Sequence, residues 1–193
     1  MKNNGFTIVE VSILFVIFLI VAFLVAPLSL DDTKQAKNTS RWRSVQNDFA
    51  NIFYTINTDR HENGVHFEKA FYEAVANDIK NNINTYRVSY MNGTYPSNTY
   101  RFKDYKNTYS NATLAIKLYD NPQNDLYGML MYDVNGKSGP NTWGKDVFGM
   151  NIYEDKFEPF CKSESISRQK EDCSKNGTGL CCSSYYLIGG SFD

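Results

Sequence analysis

The chain has 193 residues and a formal net charge of −1, with 20 Lys and Arg against 21 Asp and Glu. That balance excludes a broad electrostatic hold on nucleic acid or anionic lipid. The length suits one modest domain plus a membrane helix.

The first five residues, Met-Lys-Asn-Asn-Gly, carry one cation, Lys2. From Val11 to Leu28 there are 18 residues without a charge. As a helix, the 23 residues from Phe6 to Leu28 would span roughly 34 Å, enough to cross a bilayer. Glu10 sits at the front edge of this run. A removable secretory signal has a shorter apolar core with a small-residue cut site behind it. Here the small residue, Gly5, comes first, and Pro-Leu-Ser-Leu-Asp-Asp follows the run. A cut after Gly5 removes a polar leader and keeps the apolar helix.

Gly5, Phe6, Glu10 and the run Val11–Leu28 resemble the prepilin signal of the type IV pilin and type II secretion pseudopilin family. Pro27 falls where many pilins carry a proline. The resemblance is specific over residues 1–30. It implies cleavage after Gly5 and methylation of the new Phe6 amine by a prepilin peptidase. It also implies that Glu10 pairs with the Phe6 amine of a neighbouring subunit in an apolar filament core. The implied organisation is a leader at 1–5, a transmembrane and filament-core helix at 6–28, and an extracytoplasmic globular domain at 29–193. The implied partners are other pilin or pseudopilin subunits and an inner-membrane assembly platform. The implied location is the bacterial inner membrane, single-pass, then a periplasmic or cell-surface filament. Lys34, Lys37, Arg41 and Arg43 behind the run mildly favour the opposite orientation. The prepilin match and the cysteines of the C-terminal end overrule that count.

Residues 6 to about 58 are expected to form one long helix, with a kink or local unwinding near Pro27. Past a polar stretch from Ser29 to Ser44, Val45, Phe49, Ile52, Phe53 and Ile56 recur at helical spacing. The polar stretch reads as solvated helix or a partly melted link. Asn57 to Gly64 reads as a break. A second amphipathic helix is predicted from about Val65 to Ile83, with Phe67, Phe71, Val75 and Ile79 on its apolar face.

From Thr85 the period changes. Strands are predicted at Tyr86–Met91, Tyr100–Tyr105, Thr113–Tyr119, Leu126–Val134, near Val147–Tyr153 and near Ser184–Ile188. Turns are predicted at Asn92-Gly93, Pro96-Ser97-Asn98, Asn121-Pro122 and Asn135-Gly136. The expected fold class is α+β: a long N-terminal helix, its second half amphipathic, packed on an antiparallel sheet. The family resemblance implies the same pilin-like layout.

Four side chains with hard oxygen donors, Asp133, Asn135, Asn141 and Asp146, lie in one Gly/Pro-rich stretch. That donor type suits calcium. The alternative is a turn whose Asn and Asp side chains bond their own backbone. Cys161, Cys173, Cys181 and Cys182 are disulfide candidates. Neighbouring Cys181 and Cys182 form a strained pair, so Cys161 and Cys173 are each expected to take one of them, in either order. The spacing does not fit a zinc site.

Between Tyr86 and Tyr109, Arg87, Arg101, Lys103 and Lys106 interleave with aromatics, as in single-stranded nucleic-acid grooves. Alternating strand faces explain this more cheaply, and nucleic acid is not an expected partner. His61 and His66 do not form H-E-x-x-H, and no G-x-S-x-G, Walker or G-x-G-x-x-G motif occurs. No enzyme activity is expected. The reading is a structural filament subunit. Its rival is a membrane-anchored extracytoplasmic binding domain that does not polymerise.

Overall fold

The computed structural model describes residues 8–63, 79–105, 111–153 and 156–192. The chain divides into two compact units, Met1–Lys37 and Asn38–Asp193. Helix α1 spans Ile8–Asn63 without interruption. It is continuous through Pro27, without the local unwinding that was one of the two outcomes expected there. It also runs past Asn57-Thr58-Asp59, where a break was expected. Thr55 and Thr58 return their hydroxyls to the carbonyls of Asn51 and Tyr54, which keeps these polar residues compatible with helix.

The polar stretch before Ser44 is not uniformly solvated. Thr33, Lys34, Ala36 and Lys37 are exposed, but Asn38, Thr39 and Trp42 are buried. Trp42, Val45 and Phe49 recur at spacings of three and four and form the buried stripe of α1. The side chains of Ile52, Phe53 and Ile56 lie outside the described residues.

Among the described residues the sheet has six antiparallel strands in sequential order: β1 Ile79–Val88, β2 Asn98–Tyr105, β3 Thr113–Gln123, β4 Leu126–Asp133, β5 Val147–Tyr153 and β6 Phe157–Pro159. The α+β class is therefore observed. Residues 79–83 belong to β1, not to the end of a second helix. The rest of that predicted helix, 65–78, lies outside the described residues. Asn121-Pro122 is not the turn. Strand β3 continues to Gln123, and Asn124 and Asp125, both at positive φ, close a two-residue hairpin between Gln123 and Leu126. A 3-10 turn at Gly136–Ser138 leads from β4 into the loop before β5.

Strand alternation sends residues to two cores. On one face Leu114, Leu130, Tyr132, Phe148, Met150 and Ile152 pack with Trp42, Val45 and Phe49. On the other, Ala115, Met131 and Val147 pack with Trp143 and with Tyr86, Val88 and Phe102 of the β1–β2 hairpin. Among the described residues, strands β2 and β3 pair at Lys103↔Leu114 and Asp104↔Thr113. The short pairing leaves the rest of the hairpin free to cover that second core.

The strand expected near Ser184–Ile188 is instead a short helix, α3 Cys182–Tyr185, running into a turn; α2 spans Ile166–Asp172. The cause is covalent. Cys161 joins Cys181 and Cys173 joins Cys182, so adjacent residues are tied to different segments and the backbone closes locally, with Tyr185 N–H donating to Cys181 O at 2.9 Å. Cys173 and Cys182 are 2% and 0% exposed, whereas Cys161 is only half-buried. Reduction should therefore open Cys161–Cys181 first. Stepwise thiol reduction with alkylation and peptide mass mapping checks the order, and earlier loss of Cys173–Cys182 contradicts it.

Candidate functional site

Gly5 and Phe6 lie outside the described residues. Glu10 lies within α1, and its side chain lies outside them. The next residues of α1 show an unusual surface. Ile13 to Ile20 are eight consecutive large apolar residues, each between 42% and 67% exposed. Eight helical residues at about 100° each cover every side of the helix. A helix apolar on all sides belongs in apolar surroundings, not in water. Among the described residues no helix is long and apolar enough to cross a membrane. The side chains described in the apolar run are those of residues 12–20, roughly 14 Å of helix. The side chains of residues 21–32 lie outside the described residues.

The stretch 133–146 does bring its four predicted side chains into one bonded loop. Asp133 is fully buried. Its Oδ1 accepts the Asn135 N–H at 3.1 Å, and its Oδ2 accepts the Tyr86 hydroxyl at 2.9 Å. The Tyr86 oxygen lies 2.6 Å from the Thr113 hydroxyl. Asp146, also fully buried, accepts Asn141 N–H and Thr142 N–H on its two oxygens, at 2.8 and 2.7 Å. Asn141 Oδ1 accepts Gly139 N–H, and Asn135 Nδ2 donates to Gly139 O. Gly136, at φ +63°, has no room for a side chain: a Cβ there would collide with the Asn111 carbonyl.

Burial pushes the Asp133 carboxyl up to about 8, the nearby Asp146 charge adds to that, and the bonds from Tyr86 and Asn135 oppose it. Burial also raises Asp146, against its bonds from Thr142, Asn141 and Asn135. Burial, then the Asp133 charge, raises Tyr86 strongly.

Calcium needs six or more oxygens converging on one point. Here both oxygens of each carboxylate and Asn141 Oδ1 already accept hydrogen bonds from the chain. Of the oxygens of these four side chains, Asn135 Oδ1 is the one buried without a partner. Among the described residues no group of three or more His, Cys, Asp or Glu side chains could hold a metal ion. As folded, the loop does not fit a calcium site. It is a hydrogen-bonded lock joining the ends of β4 and β5 to Tyr86 of β1.

The interleaved basic and aromatic tract is split by the sheet. Tyr86 and Phe102 turn inward and stack at 4.5 Å, 5° apart, while Arg87, Arg101 and Lys103 are exposed. At these positions the two inward rings and the three cations lie on opposite faces of the hairpin. Sequence reasoning gives no role to the β1–β2 tip itself, Ser89 to Ser97. In the sequence its residues read as the end of a strand, two turns and part of the interleaved basic and aromatic tract.

Compared with family models, curated proteins and solved structures, the chain matches none.

Proposed function

We propose that this chain is a structural subunit of a type IV pilus-like or type II secretion-like filament, cleaved after Gly5 and assembled through α1. The observation that carries the reading is the exposed apolar surface from Ile13 to Ile20, which has no sidedness. Such a surface suits lipid before assembly and like helices after it. The residue order Gly5, Phe6, Glu10 in front of it supports prepilin processing. The role is non-catalytic. Glu10 pairs with the Phe6 amine of a neighbouring subunit, which sets register more surely than it adds stability. Head-to-tail contacts of this kind do not close and build helical filaments. The prepilin peptidase and an inner-membrane assembly platform are the processing and assembly partners.

Intact mass and N-terminal sequencing of the protein from its native membrane test the reading. The expected chain starts at Phe6 and carries added methyl mass on its amine. Glu10→Ala is expected to remain in the membrane and stay out of filaments. A chain that keeps Met1 beside an active prepilin peptidase sinks the proposal, and the anchored binding domain then replaces it.

A further inference from the structure

The tip of the β1–β2 hairpin is built for recognition by its composition. From Val88 to Tyr100 there is no charged residue, and the segment holds Tyr90, Tyr95 and Tyr100 among Ser, Asn, Gly and Thr. Tyrosine gives a rigid, amphipathic contact surface, and the small polar residues give adaptable hydrogen bonds; binding loops of antibodies use the same mixture. The Tyr90 and Tyr95 rings lie 5.5 Å apart and tilted by 53°, forming an open corner. Tyr95 is 50% exposed. Asn98, exposed, reaches the Tyr90 hydroxyl at 3.4 Å and also bonds Tyr100.

The tip is also held in place. Met91 N–H donates to Thr178 O at 3.1 Å, and Asn92 N–H donates to Gly177 O at 2.9 Å. Asn92 Nδ2 donates to Asn176 O, and its Oδ1 accepts both the N–H and the hydroxyl of Thr94. Ser89 N–H donates to Asn141 O, and Trp143 N–H to Ser89 O. The segment against which the tip lies, Asn176-Gly177-Thr178, is likewise uncharged. A loop fixed before binding loses little conformational entropy on binding.

We propose that this tip is a binding site for a neutral oligosaccharide. Sugar rings offer apolar C–H faces that stack on aromatic rings, and hydroxyls that bond to amides and phenols. No charged residue lies within 88–100, and the exposed Arg87 and Arg101 border the segment, so sialylated and sulfated glycans are the competing probes in the test. The size argues against a protein partner, since a stable protein interface draws on about 20–30 residues a side. This inference does not depend on filament assembly.

The test uses the full-length chain in a zwitterionic detergent without a sugar headgroup. The probe is an array of short hexose and N-acetylhexosamine oligosaccharides, printed beside sialylated and sulfated ones. Binding to a neutral oligosaccharide is expected. Tyr95→Ala should weaken it about tenfold or more, with an unchanged unfolding midpoint, and Asn98→Ala should weaken it too. Tyr54→Ala, whose side chain on α1 is 73% exposed, should bind as the unaltered chain does. Glu10→Ala should also bind normally, which separates this site from assembly. Lack of binding to every neutral oligosaccharide, binding to charged glycans alone, or binding unchanged in both Tyr95→Ala and Asn98→Ala overturns the proposal.

Discussion

Trp42→Ala is expected to destabilise the Asn38–Asp193 unit by about 3–5 kcal/mol. Trp42 is fully buried and stacks on Phe148 at 5.0 Å with the rings 15° apart. Its indole N–H donates to Ser183 O at 2.9 Å, 141 residues away in sequence. The truncation leaves a cavity between α1 and the sheet. It also strands a buried carbonyl beside the Cys173–Cys182 bridge, which adds to the cost. The whole stability of a domain this size is only about 5–15 kcal/mol. Neighbouring bonds depend on the same contact: Arg43 Nε donates to Tyr186 O at 2.7 Å, and Asn38 Nδ2 to Lys145 O at 3.1 Å. A drop of about 10 °C in the thermal midpoint is the expected reading, at about 2–4 °C per kcal/mol. Trp42→Phe keeps most of the stack and loses the hydrogen bond, so it should fall between. Near-UV circular dichroism of the full-length chain in detergent follows the transition. A midpoint lowered by less than about 2 °C in Trp42→Ala would mean that α1 does not hold the sheet through this residue.

Trp42 also marks where sequence reading stops. Val45 and Phe49 announce themselves by period, and both are buried as expected. Trp42 sits among Ser, Arg and Asn, so the window around it reads as polar. Its burial is set by Phe148 and Ser183, which no local pattern reveals. The strands are legible for a similar reason in reverse. Val147–Tyr153 matches β5 at both ends because β-branched and aromatic residues fill a strand buried on both faces. The Ser184–Ile188 stretch has the same residue types and forms a helix and turn. Two disulfides fix it, and their pairing follows from three-dimensional proximity alone. The hairpin at Asn124-Asp125 loses out to the stronger Asn-Pro signal three residues earlier, yet Pro122 lies inside β3.

The acidic loop differs in kind. Composition puts four oxygen donors in reach of one another, and the structure does gather them. What composition does not carry is direction. Asp133 and Asp146 point their oxygens at backbone N–H groups and at Tyr86, so the same residues that spell a cation site in one dimension spell a lock in three. The Tyr95 corner is the converse case. The sequence counts Tyr95 only as one aromatic of the interleaved tract, and the corner stands out when the tip is seen pinned against residues 176–178.

The lock should give the fold a pH dependence with a definite sign. Asp133 holds its proton up to about pH 8 when folded, because burial and the Asp146 charge disfavour the carboxylate. In the unfolded chain it loses the proton near the ordinary value of 3.8. Below that value both states are protonated and Asp133 contributes no slope. Between about pH 4 and pH 8 the folded state binds more protons than the unfolded one, so stability falls as pH rises. Above about 8 both states are ionised and the cost stays constant. Asp146, raised for the same chief reason, adds slope of the same sign. The Asp133→Asn variant removes the titration while keeping a side chain that can accept the Asn135 N–H and donate to the Tyr86 oxygen, as a protonated carboxyl would. Denaturant unfolding of both proteins should give similar stabilities near pH 4.5. Near pH 8.5 the Asn variant should be the more stable by a few kcal/mol, since each tenfold difference in proton affinity between the folded and unfolded chain corresponds to about 1.4 kcal/mol. Comparing the two proteins cancels the slopes of the exposed carboxylates, which are common to both. Stability curves that run parallel across the whole range would show that Asp133 enters the folded state already ionised, and that the bonds from Tyr86 and Asn135 outweigh its burial.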